Sequence, residues 1–118
     1  MYLKVNNQDK DYYYKFEDKK PVTIGRSDKN DIPLTAEGVS RNHLEIIFDN
    51  GEYFVKDLGA TNGSFINEEK LDANKKIPFN TFFPVQLGFH AKIYLLDEAG
   101  SVNSLDKLVA ETKEALSD

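Results

Sequence analysis

At 118 residues the chain has the length of a single domain, large enough to bury a core without covalent staples. It contains no cysteine, which excludes disulfide and thiolate chemistry, and its two histidines, without carboxylates at ligand spacing, are too few for a metal cage. The net charge of -5 is uneven: residues 97–118 hold six acids against two lysines, so the rest is nearly neutral and lacks the basic stripe that a nucleic-acid backbone demands.

The amino terminus, Met1-Tyr2-Leu3-Lys4-Val5, runs straight into an alternating strand pattern without the basic start or apolar run of a signal peptide. No stretch reaches the length of a membrane span, so a soluble cytoplasmic domain with no membrane and no nucleic-acid partner is expected. Residues 2–5 predict a first strand, ended by the polar cluster Asn6-Asn7-Gln8-Asp9. Residues 12–16 predict a second, with Tyr12, Tyr14 and Phe16 on one face. This tyrosine run is read as a half-buried aromatic strand rather than a phosphorylation or stacking site.

Residues 22–24 form a short strand that stops at Gly25, where a missing Cβ permits backbone angles or close approaches that a side chain would forbid. Arg26 opens a turn-rich loop, and residues 31–34 make a brief strand that Pro33 confines to an edge or bulge. A second loop delivers Val39 and Ser40. Residues 43–48 alternate around Leu44, Ile46 and Phe48, Asn50-Gly51 turns the chain, and residues 53–55 return, the strongest short hairpin signal available. Antiparallel pairing there brings the loop before His43 and the loop after Asp57 to one end of the sheet.

Further short strands are predicted at residues 64–66, 70–71, 75–78, 85–87 and 91–96, with a turn at Asn67-Glu68-Glu69. Ten or eleven strands at this spacing specify an all-β sandwich spanning about residues 1–98. The aromatic group Phe79, Phe82, Phe83 and Phe89 is assigned to the sandwich core in preference to an exposed interaction patch. Residues 99–118 form an acidic tail with a short C-terminal α-helix from about Ser104, on the strength of a capping serine, Asp106 in the first turn and apolar Leu105, Leu108, Val109 and Leu116. So short a helix needs a surface: this sandwich, a partner, or further sequence.

Three polar signals interrupt the strands: Gly25-Arg26, Ser40-Arg41-Asn42-His43, and Thr61-Asn62-Gly63. Arg26 and Arg41 are the only arginines in a chain whose other basic residues are lysines, and arginine's planar fork suits a phosphate. A phosphorylated side chain wants guanidinium, hydroxyl and amide donors converging on one point. Arg26, Ser40, Arg41 and Thr61 supply that set, and Asn62 could bond an extended peptide's main chain.

The runs Val22-Thr23-Ile24-Gly25-Arg26, Asn30-Asp31-Ile32-Pro33-Leu34, Val39-Ser40-Arg41-Asn42-His43 and Asp57-Leu58-Gly59-Ala60-Thr61-Asn62-Gly63-Ser64-Phe65-Ile66-Asn67 together resemble a forkhead-associated (FHA) domain. The resemblance covers about residues 2–96 and implies an eleven-strand β-sandwich that binds phosphothreonine peptides through loops at one end. It implies that Arg26, Ser40, Arg41 and Thr61 contact phosphate, and that Asn62 bonds the peptide backbone. Gly25, His43 and Gly63 would hold the loops, and a small pocket would take the threonine methyl group. The family's reading of the third residue after the phosphothreonine would here meet Gly38, which offers no charged handle. The sequence departs from the family at Phe82-Phe83-Pro84 and at Asn67-Glu68, both away from the phosphate loops.

The implied partner is a threonine-phosphorylated protein or peptide, in trans, in a second copy or in cis, with no cofactor and no metal. The chain would be one domain of a longer protein or a small adaptor. Two other readings compete: an FHA-like scaffold that binds its partner independently of phosphate, and a hydrolase built on Ser40, His43 and Asp57. The second lacks a nucleophile elbow and places serine and histidine where they do not face each other. The sequon Asn62-Gly63-Ser64 is discounted without a secretion signal.

Overall fold

A computed structural model describes residues 1–16 and 20–96. The predicted tail helix and the residue 98/99 boundary fall outside the described residues.

Eleven strands form in chain order: β1 (Tyr2–Asn7), β2 (Lys10–Lys15), β3 (Val22–Gly25), β4 (Ile32–Pro33), β5 (Leu44–Asp49), β6 (Glu52–Asp57), β7 (Ser64–Ile66), β8 (Glu69–Lys70), β9 (Ile77–Pro78), β10 (Val85–Leu87) and β11 (Ala91–Leu96). They make two sheets, one ordered β2-β1-β11-β10-β7-β8 and the other β4-β3-β5-β6-β9. All described pairs are antiparallel except β3 with β4.

The period-2 alternation read from the sequence is what closes the sandwich. Leu3 and Val5, Ile24, Leu44 and Ile46, Val55, Val85 and Leu87, and Ile93 are each fully buried between the sheets, while the residues between them point outward. Each such side chain contributes about 1.5–3 kcal/mol of transfer free energy against being left in water.

The β5–β6 hairpin turns at Asn50 (φ 52°) and Gly51 (φ 82°), the paired left-handed conformations a two-residue hairpin turn requires. Its register, from Asp49 opposite Glu52 to Leu44 opposite Asp57, places the start of β5 beside the end of β6. Pro33 lies in β4, an edge strand, where its missing N–H costs no ladder bond. A parallel neighbour normally needs a long crossover. Here residues 26–31 suffice, because β4 is minimal and Asp31 is clamped to β3: its Oδ2 accepts the Thr23 N–H (2.9 Å), and its N–H donates to Thr23 Oγ1 (3.0 Å).

The aromatic group is a correction. Phe79 is buried, but Phe82 is 81%, Phe83 46% and Phe89 57% exposed. These three sit in turns at the sheet ends: the 80–83 turn is pinned by Asn80 Oδ1, which accepts the Phe82 N–H at 3.0 Å and holds the ring outside the sandwich. The Asn67-Glu68 turn does form, with both residues left-handed (φ 48° and 67°), although glutamate pays for that conformation.

Candidate functional site

The three polar signals meet at the end of the sandwich where β3 ends and β5 begins. Gly25 makes this possible. An added Cβ would collide with the backbone carbonyl of Arg41 and lie 2.9 Å from Asn30 Nδ2, so only glycine lets the loop after β3 lie against the loop before β5. The two loops are then stitched: Arg26 N–H donates to the Ser40 carbonyl (2.9 Å) and Ser27 N–H to the Arg41 carbonyl (3.3 Å). Asn30 Nδ2 also donates to the Arg41 carbonyl (2.7 Å) and to the Ser27 carbonyl (2.9 Å).

The third loop joins through Ser40. Its Oγ accepts the Thr61 N–H at 3.1 Å. A hydroxyl has one hydrogen to give, and among the described residues that of Ser40 has no acceptor, so it remains available to a ligand. Thr61 therefore has only its own hydroxyl to offer a ligand, since its N–H is already used. Asn62 donates through Nδ2 to the Gly38 carbonyl at 3.0 Å, which fixes its plane and leaves Oδ1 and a second amide hydrogen unspent.

His43 ties these pieces together from below. It is completely buried, its Nδ1 accepts the Ser40 N–H (3.0 Å), and its Nε2 lies 2.8 Å from the Gly63 carbonyl. Because Nδ1 must accept, the proton sits on Nε2 and is donated to Gly63. Burial holds the imidazole pKa below its ordinary value, against the opposing pulls of the Gly63 carbonyl and the Asp57 carboxylate. Gly63 itself is left-handed (φ 76°).

Arg26 and Arg41 are exposed, and among the described residues neither guanidinium has a hydrogen-bond or ion-pair partner. Their backbones are fixed while their forks are uncommitted. That is the state expected of side chains held ready for an anion, and two loop-anchored guanidiniums beside a free hydroxyl can hold a phosphomonoester.

All eight residues singled out from the sequence thus lie in one loop cluster. Two contributors were missed. Asp57, buried, accepts Gly59 N–H (3.0 Å) and Ala60 N–H (3.2 Å) on Oδ2 and the Ser64 hydroxyl on Oδ1, and so shapes the whole Thr61 loop. The Asp-x-Gly spacing of an Asx turn was the available signal. Asn30 was missed because its partner, Arg41, is set by packing and not by local sequence.

The family model of the FHA domain matches residues 22–88. The FHA domain-containing protein FhaB of Mycobacterium tuberculosis is 34% identical over 70 residues, covering 59% of this chain and 44% of that protein. The oxoglutarate dehydrogenase inhibitor of Corynebacterium glutamicum is 33% identical over 82 residues, covering 70% of this chain and 55% of that protein. The chain therefore spans about half the length of these relatives. Among solved structures, one from a study of phosphothreonine-dependent FHA domain interactions superposes with a TM-score of 0.66 at 25% identity, covering 80% of this chain and 94% of that one. The FHA domain of FhaA, complexed with the intracellular domain of another protein, gives 0.65 at 27% identity, covering 78% and 97%.

Proposed function

The chain belongs to the FHA domain family, and on that premise we propose that it binds threonine-phosphorylated protein segments through the loop end of its sandwich, mediating phosphorylation-dependent protein–protein interaction in signalling. The observation that carries the reading is the state of the donors: Arg26 and Arg41 exposed and uncommitted among the described residues, with a neighbouring Ser40 hydroxyl whose oxygen accepts the Thr61 N–H and whose hydrogen has no acceptor among those residues.

In this reading Arg26 and Arg41 present their forks to the phosphate oxygens, the Ser40 hydroxyl donates a charge-assisted bond, and the Thr61 hydroxyl adds a further donor. Asn62 uses its remaining amide hydrogen and Oδ1 on the main chain of an extended peptide. Gly25, His43 and Gly63 keep the three loops in register. In this reading the module works by binding and not by catalysis: both nitrogens of His43 are spent on backbone groups, so the histidine is not available as a base for the Ser40 hydroxyl. The source of the phosphothreonine is a partner protein, a second copy or the same chain, in the cytoplasm where a kinase can reach it. The domain would extend to about residue 98, with residues 99–118 as a tail or linker.

Titration of a phosphothreonine peptide library by fluorescence polarisation tests this. Saturable binding is expected, with phosphoserine and unphosphorylated counterparts much weaker. Failure across the whole library, or a partner retained equally after phosphatase treatment, would overturn it in favour of a phosphate-independent scaffold.

A further inference from the structure

The turn between β10 and β11 supplies none of the phosphate donors, yet it is fastened to the same loop end. Gly88 N–H donates to the Gly63 carbonyl (3.4 Å), Phe89 N–H to the Glu37 carbonyl (3.5 Å), and the His90 carbonyl accepts the Gln8 N–H (2.8 Å). The turn also packs against Gly38 so closely that neither side tolerates a side chain. A Cβ on Gly88 would come 2.6 Å from the Gly38 carbonyl carbon, and a Cβ on Gly38 (φ 89°) would come 2.8 Å from Cδ2 of the Phe89 ring. Gly38 is in turn the residue whose carbonyl takes the Asn62 amide. Phe89, 57% exposed, is thus an aromatic ring left in water one residue from the group assigned to hold the peptide main chain.

We propose that Phe89 is the specificity-determining residue of this site. With the bare backbone of Gly38 it forms an apolar platform for an aliphatic or aromatic side chain of the peptide, flanking the phosphothreonine. The inference rests on the phosphothreonine reading above. A peptide held at Asn62 passes within side-chain reach of Gly38, which has no side chain of its own to read it. What the flanking residue meets is the ring. A charged residue there would lose hydration against an apolar face without gaining a partner, whereas an apolar one covers that face. Around the adjoining cavity the carboxylates Asp9 and Glu37 stand against one lysine, Lys92, which disfavours an acidic flanking residue, and because all three are exposed they offer a basic one only a weak, water-screened attraction. Covering half of an aromatic ring corresponds to roughly tenfold in affinity.

A positional-scanning phosphothreonine library with fluorescence-polarisation readout tests it. The wild-type protein should select apolar residues about tenfold over charged or small polar ones at one flanking position. Phe89→Lys should abolish that selection and shift it toward acidic residues, and Phe89→Leu should keep it. All variants should keep a cooperative thermal transition near that of the wild type, which shows that the fold is intact. Phe82→Lys, in a different turn, should leave the profile unchanged. Wild-type binding without apolar selection, or the same selection in Phe89→Lys, overturns this inference alone. No binding of any phosphothreonine peptide by the wild type overturns it together with the reading on which it rests.

Discussion

Ser40 and Thr61, twenty-one residues apart in sequence, are joined by a hydrogen bond from the Thr61 N–H to the Ser40 Oγ at 3.1 Å. The serine anchors the third loop with its oxygen, and in the proposed reading it also offers its hydrogen to the phosphate. Ser40→Ala removes both at once. Because this bond lies at the surface, water can replace it, and the expected stability loss is only about 0.5–1 kcal/mol. The lost charge-assisted bond and the loosened Thr61 loop should weaken phosphopeptide binding by about 2–3 kcal/mol, or thirtyfold and more. Thermal melting and polarisation titration of one preparation check both halves; a large melting loss would make the residue chiefly structural.

The two arginines should behave alike in stability and differ in chemistry. Neither guanidinium has a partner among the described residues, so Arg26→Ala should melt within about 0.5 kcal/mol of wild type while losing most phosphopeptide affinity. Arg41→Lys keeps the charge but replaces a fork with a point, and a severalfold loss of affinity is expected. Equal affinity in Arg41→Lys would mean that Arg41 acts only through its charge. Calorimetric titration against one phosphothreonine peptide separates these cases.

Gly25 and Gly63 are both needed without a side chain, for different physical reasons. At Gly25 the obstruction is the Arg41 backbone, which cannot move without unstitching two loops. Gly25→Ala should therefore cost at least about 1–3 kcal/mol, as overpacking does, and abolish binding. At Gly63 the nearest atom is Cε of Lys70, the far end of a flexible side chain, and the cost comes from the left-handed φ of 76°. Gly63→Ala should cost about 1–2 kcal/mol, and Gly63→Asn less, since asparagine tolerates that conformation. Urea denaturation of the three variants gives the order; equal losses for Gly63→Ala and Gly63→Asn would refute the conformational account.

What could be read from the sequence was whatever local pattern decides. The Asn50-Gly51 turn is legible because its two left-handed residues are of the types that accept them, and Pro33 announces an edge by its missing N–H. From that hairpin alone the meeting of the Ser40 and Thr61 loops followed. What could not be read was whatever depends on a surface supplied from elsewhere. Phe79 and Phe82 lie three residues apart, and one is buried and the other not because only the first has a sheet facing it. In the same way Asn30 looks like any turn asparagine until the parallel β3–β4 pairing brings the Arg41 carbonyl to it. The residues that share this loop end were legible one by one, but the bonds among them were not: the sequence did not reveal that the Thr61 N–H is already taken, or that the Phe89 ring packs against Gly38.

His43 sets a pH dependence whose sign follows from its bonds. With Nδ1 accepting from Ser40 and Nε2 donating to Gly63, the folded protein holds the neutral imidazole, and burial keeps its pKa below the ordinary value. The unfolded chain takes up its proton near pH 6.5, so between that pH and the lower folded pKa the unfolded state binds more protons. Stability from this residue is thus fully present above about pH 7.5 and is lost as pH falls through 6.5 toward the folded pKa. The Asp57 carboxylate, whose Oδ1 lies 4.0 Å from Nε2, moderates the loss without reversing it. Protonation would also set an N–H on Nδ1 against the Ser40 N–H and push the serine out of register. Measurement belongs on the unliganded protein, because a bound phosphate has its own ionisation near pH 6. The melting temperature should fall between pH 7.5 and 5.5, and His43→Gln should be less stable at pH 7.5 but show a flatter slope. An NMR titration of the His43 ring with a midpoint at or above 6.5 would contradict the argument.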